Sequence, residues 1–266
     1  MAGSRPVTLI TGASVGIGAA LARIFASHGH ELVLIARRVV EMEALANEIA
    51  AGGRPRPLVL PLDLTDPTAV DKINQFLMAA GVEPQHIVNN AGFGLVGCAD
   101  SLDRAQQLAM IDLNIRALTD LSLAWTESLA RHRGGILNIA SIASFLPGPC
   151  MAVYYASKAY VLSFSEALHA ELKSRGIRVT TLCPGPVQTE FQKRAGVVDE
   201  EYPPILTISA EDMAAAGYHG LMRGKRLVVP GLPAKIITLL VRMTPRAWVL
   251  AGVATRQLRR YKNQKT

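Results

Sequence analysis

Tyr154 and Lys158 stand four residues apart, and Ser141 lies thirteen positions before Tyr154 at the end of an apolar run. Residues four apart share one face of a helix, so the spacing predicts that the Tyr154 hydroxyl and the Lys158 ammonium serve a single site. A phenol with a pKa near ~10 is a poor acid or base at neutral pH, and a cation beside it favours the phenolate and moves it toward the working range. Such a tyrosine can exchange a proton with an alcohol or carbonyl oxygen. A Tyr and a Lys at this spacing also occur on helices that do no chemistry. The pair therefore gains weight only from the elements that must position it.

Those elements begin with a β-rich run at Val7–Ile10, followed by Thr11-Gly12-Ala13-Ser14-Val15-Gly16-Ile17-Gly18 and an apolar-periodic helix to about His28. A strand, a glycine-rich turn and a helix start make a phosphate site: missing Cβ atoms let the backbone approach a ligand, and the helix N-terminus presents free N–H groups. Gly12, Ser14, Gly16, Ile17 and Gly18 are the candidate contacts. Glycines also make plain tight turns, but the flanking strand and helix favour a nucleotide. The next strand, Leu32–Ile35, runs into Ala36-Arg37-Arg38, with Glu41 the nearest acid. A site for NAD usually carries an acid here, whereas a ribose 2′-phosphate calls for Arg. Two solvated arginines at a helix start are the competing reading, and the helix dipole disfavours them there. NADP is the expected cofactor, with NAD second.

The alternation continues through a helix at Glu41–Ala50, a strand at Leu58–Leu62, a helix at Pro67–Ala80 and a strand at Ile87–Asn89. A helix from about Arg104 to Ala130 carries Asn114 midway, where Asn is a mediocre helix former. A strand at Ile136–Ala140 delivers Ser141, the Tyr154 helix runs to about Ser174, and a strand at Val179–Leu182 ends in Cys183-Pro184-Gly185-Pro186. Continuous apolar strands alternating with helices predict a parallel sheet covered on both faces, with ligands beyond the carboxyl ends of its strands. Asp63 and Asn89-Asn90-Ala91-Gly92 fall at such ends, although Asp, Asn and Gly also dominate ordinary turns.

The 266 residues suffice for one large domain, and half of them are hydrophobic. Cys98, Cys150 and Cys183 match neither a zinc spacing nor an even disulfide framework, and Met1–Pro6 contains no apolar signal stretch. The expectation is a reduced, cytoplasmic protein without a metal. The net charge of +7 is local, because no acid follows Asp212 while eleven of the 28 basic residues do. Removing those eleven leaves 17 basic against 21 acidic side chains in the body, which argues against nucleic acid.

Taken together, Thr11-Gly12-x-x-x-Gly16-x-Gly18, Asn89-Asn90-Ala91-Gly92, Asn114, Ser141, Tyr154-x-x-x-Lys158 and Pro184-Gly185 followed by Thr189 resemble the short-chain dehydrogenase/reductase family over nearly the whole chain. The resemblance implies an α/β fold, a single doubly wound parallel-sheet Rossmann domain over residues 1–232 with a helical extension over 233–266. It implies that Ser141 hydrogen-bonds the substrate oxygen, Tyr154 transfers the proton, Lys158 lowers the Tyr154 pKa and binds the nicotinamide ribose, and Asn114 anchors a relay water. It further implies that Asp63 contacts the adenine, Asn90 lines the cofactor cleft, and Val187 and Thr189 hold the nicotinamide carboxamide. Arg37 matches the basic position of NADP-using members, and Arg38 adjoins it. Val15 stands where some of those members carry a second basic residue. A homodimer or homotetramer is the implied assembly.

The expected reaction is hydride transfer between NADP(H) and a carbonyl or alcohol. Phe93, Leu95, Val96, Ile142, Phe145, Leu146, Met151, Phe191 and Tyr202 near the cleft suggest an apolar substrate, and residues 187–207 a covering segment. A protein that binds NADP as a sensor is the alternative, disfavoured because all four proton-handling residues are present. After a strand at Leu227–Val229, two apolar helices are expected at Ala234–Met243 and Ala247–Leu258, too short and too charged to span a bilayer. They could cover the cleft, contact a partner subunit or lie on an anionic membrane surface.

Overall fold

A computed structural model describes residues 4–186 and 207–263. Its strands β1 (Arg5–Thr11), β2 (Glu31–Ala36), β3 (Leu58–Pro61), β4 (Val82–Asn89), β5 (Gly135–Ile139), β6 (Arg178–Leu182) and β7 (Leu227–Val228) form one parallel sheet in the spatial order β3-β2-β1-β4-β5-β6-β7. Neighbouring side chains along each strand point to opposite faces. Ile10, Leu34, Val88 and Leu137 therefore pack under α1 (Gly16–Ser27), α2 (Val39–Ala51) and α8 (Ala210–Met222). Leu9, Val33, Ile87 and Ile136 pack under the opposite layer, made of α3 (Ala69–Ala80), α5 (Leu118–Ala124) and α7 (Ala152–Leu172). Each such side chain, fully buried, contributes about 1.5–3 kcal/mol. The helices α4 (Arg104–Ile111) and α6 (Thr126–Arg131) flank α5, and α9 (Leu232–Met243) and α10 (Arg246–Asn263) end the chain.

The chain winds outward from β1 to β3 and then returns to the other side of β1 as β4. The loops after β1 and β4 therefore diverge and open a crevice at the carboxyl edge of the sheet.

Three segments differ from the sequence expectation. The strand expected at Ile87–Asn89 begins at Val82, with Pro84 inside it. Pro84 has no N–H to give, and the ladder accommodates it by a register shift: Val7 pairs with Pro84 but Thr8 pairs with His86. The single helix expected over Arg104–Ala130 is broken by a π-helical turn at Asp112–Ala117 and again at Trp125, whose Nε1 donates to Asn74 Oδ1 at 2.6 Å. The sequence expectation includes no element over the stretch that forms α8, which contains Gly217 and Gly220. Both are required by close packing, since a Cβ on Gly220 would lie 2.4 Å from Val228 Cγ2 and one on Gly217 3.0 Å from Leu182 Cδ2.

Candidate active site

The glycine turn is built to a tolerance that excludes side chains. Gly12 has φ +63°, and a Cβ there would stand 2.9 Å from both Ala91 Cα and Asn90 Nδ2. A Cβ on Gly18 would lie 2.2 Å from Gly12 O. Asn90 braces this turn from across the crevice, donating through Nδ2 to Thr11 O at 3.0 Å and Gly12 O at 3.1 Å. Thr11 Oγ1 in turn accepts from the Asn90 and Ala91 N–H groups, each at 3.0 Å. Helix α1 starts at Gly16 with Val15 at its N-cap, without a side-chain cap and without an acid in the first turn. Its first N–H groups are thus left for an anion. Ser14 and Ile17 are half-buried on the same turn, Ile17 against the core.

At the ends of β2 and β3, Arg37 is 71 % exposed and its Nη1 lies 3.6 Å from Asp63 Oδ2. Partial burial pushes the Asp63 carboxyl up, but hydrogen bonds from the Thr65 N–H and hydroxyl and the Arg37 cation outweigh it and hold the group below its ordinary value. Arg38 pairs with Glu41 at 3.3 Å.

The residues expected to handle protons, Ser141, Tyr154 and Lys158, converge at the end of β5. Ser141 caps a 3₁₀ turn at Ile142–Phe145, accepting the Ala143 N–H at 3.1 Å. Tyr154, in the first turn of α7, is only 9 % exposed. Burial pushes its hydroxyl up to about 12, and a hydrogen bond with Ser141 offsets part of that rise. Lys158, one turn on, is also buried, which brings its ammonium down to about 8. Its Nζ donates to Ile139 O at 2.8 Å and stands 6.0 Å from the Tyr154 ring centroid.

Asn114 owes its position to the π-helical turn, which aims its amide at the loop after β4. Its Nδ2 donates to Phe93 O and Ser157 Oγ, both at 3.0 Å, and its Oδ1 accepts the Phe93 N–H at 3.1 Å. Ser157 Oγ passes the chain on to Tyr154 O at 2.7 Å. A Cβ on Gly92 would stand 2.9 Å from Asn114 Oδ1 and 3.5 Å from Lys158 Nζ, so the absence of a side chain at Gly92 lets these two groups share one space. The roles of Gly92 as spacer and of Ile139 O as lysine acceptor were not apparent from the sequence. Both depend on loop geometry that spacing does not encode.

Above the site, Met110, Ala143 and Tyr154 form a small apolar cluster with Phe93, Leu95, Met151 and Tyr155. Cys98 and Cys150 are free thiols whose sulfurs lie 3.9 Å apart in the loops beside it. The C-terminal helices reach the same region: Gln257 Nε2 donates to Tyr155 Oη on α7 at 2.8 Å, Tyr261 Oη lies 3.3 Å from Ser101 Oγ, and the Arg242 guanidinium sits 5.0 Å over the Phe145 ring. Val187, Thr189, Phe191, Tyr202 and the covering segment expected over residues 187–207, all but Thr207, lie outside the described residues.

Comparison with known proteins bears on this geometry. The short chain dehydrogenase family model matches residues 6–197. Sulfoacetaldehyde reductase 2 of Chromohalobacter salexigens is 37 % identical over 216 residues, 78 % of this chain and 85 % of that protein. Among solved structures, a short-chain dehydrogenase from Sphingobium yanoikuyae in complex with NADPH superposes with a TM-score of 0.78 at 34 % identity, covering 88 % of this chain and 92 % of that one. A bulky-bulky ketone specific alcohol dehydrogenase from Comamonas testosteroni gives 0.76 at 30 % identity, covering 90 % and 92 %.

Proposed function

The chain belongs to the short-chain dehydrogenase/reductase family, and from that membership we propose that this oxidoreductase uses NADPH to reduce an apolar ketone or aldehyde. The observation that carries the reading is the buried Tyr154 hydroxyl, hydrogen-bonded to Ser141 and one helical turn from the Lys158 ammonium. A phenol held near 12 is protonated throughout the neutral range. It is therefore loaded as a donor to a carbonyl oxygen, the role that reduction asks of it.

The crevice residues fit a nicotinamide dinucleotide. Gly12 and Gly18 let the turn close against Asn90 and Ala91, and the uncapped start of α1 supplies donors for a pyrophosphate. Arg37, tied only by an exposed ion pair worth about 0–1 kcal/mol, is available to the 2′-phosphate of NADP. Asp63 lies beside it for the adenosine end, and Val187 and Thr189 are proposed for the carboxamide. When bound, the cofactor supplies the hydride.

Within this arrangement Ser141 orients the substrate oxygen and Tyr154 gives it a proton. The Lys158 cation stabilises the phenolate that remains, and its ammonium is suited to the ribose hydroxyls. Oδ1 of Asn114 has a second lone pair, which suits it to anchor a water that returns a proton by way of Lys158. Positioned proton transfer of this kind contributes roughly 10²–10⁴ in rate. Phe93, Leu95, Met151 and Tyr155 suit an apolar or aromatic substrate.

A screen of NADPH consumption against aldehydes, ketones and quinones tests the reading. Turnover is expected with aromatic or bulky ketones. A protein that binds NADPH tightly yet consumes none with any of them would be a nucleotide-binding sensor instead.

A further inference from the structure

The C-terminal helices expose an apolar face. On α9, Leu232, Ile236, Leu239, Leu240 and Met243 are between 49 and 77 % exposed. Their spacing gathers them into one stripe along the helix. A surface helix ordinarily turns such a stripe inward, but α9 buries Thr238 instead and holds Arg242 against Phe145. Trp248, in the first turn of α10, is likewise exposed, at 73 %.

The surroundings of the stripe are basic. A concavity of about 280 Å³ between α8, β7 and α9 is lined by His219, Arg223, Lys225 and Lys235. None of Arg223, Lys225, Lys235, Arg246 and Arg256 is salt-bridged to a carboxylate among the described residues, whereas Arg226 is held by Glu166 at 3.4 Å. No acid follows Asp212 anywhere in the sequence.

We propose that α9 and the start of α10 seat the protein on an anionic phospholipid bilayer, with the apolar stripe at the headgroup–acyl boundary and the basic concavity over headgroup phosphates. A second copy of this chain fits the face poorly. An isologous contact would set the same cations against each other, with no carboxylate in the patch to neutralise them. A bilayer supplies both missing partners at once, acyl chains for the leucines and negative charge for the lysines and arginines, and an exposed Trp suits the interface. Neither helix crosses the bilayer, because no helix among the described residues is long and apolar enough to do so. The protein would therefore lie on the surface.

The test is co-sedimentation of the full chain with phosphatidylcholine vesicles, alone and with phosphatidylglycerol admixed. Pelleting is expected with the anionic vesicles only and should decline as salt rises. Leu239→Glu/Met243→Glu should weaken it roughly tenfold or more, and Arg223→Glu/Lys225→Glu should abolish the preference for phosphatidylglycerol. Both variants alter exposed side chains, none of which has a part in the proposed catalytic or cofactor-binding set. Unchanged melting temperature and unchanged NADPH binding would show that they are folded, independently of any catalytic assay. Failure to pellet, equal pelleting on both lipids or wild-type pelleting of the first variant would overturn the proposal. So would conversion of a dimer to a monomer by that variant without any vesicle binding by the parent, which would make the face a subunit contact.

Discussion

Replacing Gly18 with Ala tests the glycine turn as a cofactor cradle. The added Cβ would lie 2.2 Å from Gly12 O and 2.5 Å from Asn90 Nδ2, where ordinary contact begins at 3.4 Å. One obstacle is backbone, and the other is the amide that braces the turn through Thr11 O and Gly12 O. Neither can swing aside, so α1 must withdraw from the turn by about 1 Å, an overpacking strain of about 1–3 kcal/mol. The same withdrawal moves the uncapped N–H groups of α1 away from the pyrophosphate. Hydrogen bonds to charged groups are worth about 1.5–3 kcal/mol each, so weakening two of them raises the NADPH dissociation constant roughly a hundredfold or more. Titration by NADPH fluorescence reads this directly, alongside a thermal melt. Gly252→Ala is the control, because a Cβ at this helical position meets nothing within 4 Å and Ala favours a helix by about 1 kcal/mol. Wild-type NADPH affinity in Gly18→Ala would refute the assignment of this turn to the cofactor.

Other expectations follow from the same geometry. Arg37→Glu should leave the melting temperature nearly unchanged, because its pair with Asp63 is exposed, yet raise the NADPH dissociation constant roughly ten- to a hundredfold with little effect on NADH; an unchanged ratio of the two affinities would remove Arg37 from the 2′-phosphate site. The rate of ketone reduction should be level below about pH 8 and decline above it as Lys158 loses its proton, and a rate still climbing well above that value would contradict the role given to the cation. His86 predicts acid sensitivity of the fold: burial, with His30 and Arg178 adding like charge, takes its imidazole from 6.5 down to about 3. Between those values the unfolded chain binds a proton that the folded chain refuses, so stability is fully present above about 6.5 and falls as the pH drops toward 3, by a few kcal/mol in all. Urea melts at about pH 7 and about pH 5 should show this loss, and His86→Asn should lessen it; an identical loss in the variant would assign the sensitivity elsewhere.

Much of this architecture was legible in the sequence because local and global signals agree there. The apolar runs that became β1, β2, β5 and β6 are flanked by helix periods, and the glycine turn sits between a strand and a helix start as a phosphate site requires. The chain was harder to read where tertiary packing overrides local preference. Pro84 hid the first half of β4 because nothing local announces the register shift opposite Val7. The helix α8 has no counterpart in the sequence expectation, although Ser209, whose hydroxyl accepts the Asp212 N–H at 3.0 Å, is a capping signal that was there to be used. Asn114 was read as a helical residue needing a reason, and the reason is a π-helical turn that sequence periodicity does not encode. At the site itself, the convergence of Tyr154, Lys158 and Ser141 was legible in their spacing. The electrostatics were not, since in this structure burial raises Tyr154 and the Lys158 ammonium is bonded to Ile139 O.

The direct test of the proposed chemistry is Tyr154→Phe, which removes one oxygen from a buried ring and leaves the cradle at Gly12, Gly18 and Asn90 intact. NADPH should bind the variant with near wild-type affinity while ketone reduction falls by roughly 10²–10⁴. A variant that binds NADPH and still turns over at the wild-type rate would show that the proton comes from elsewhere.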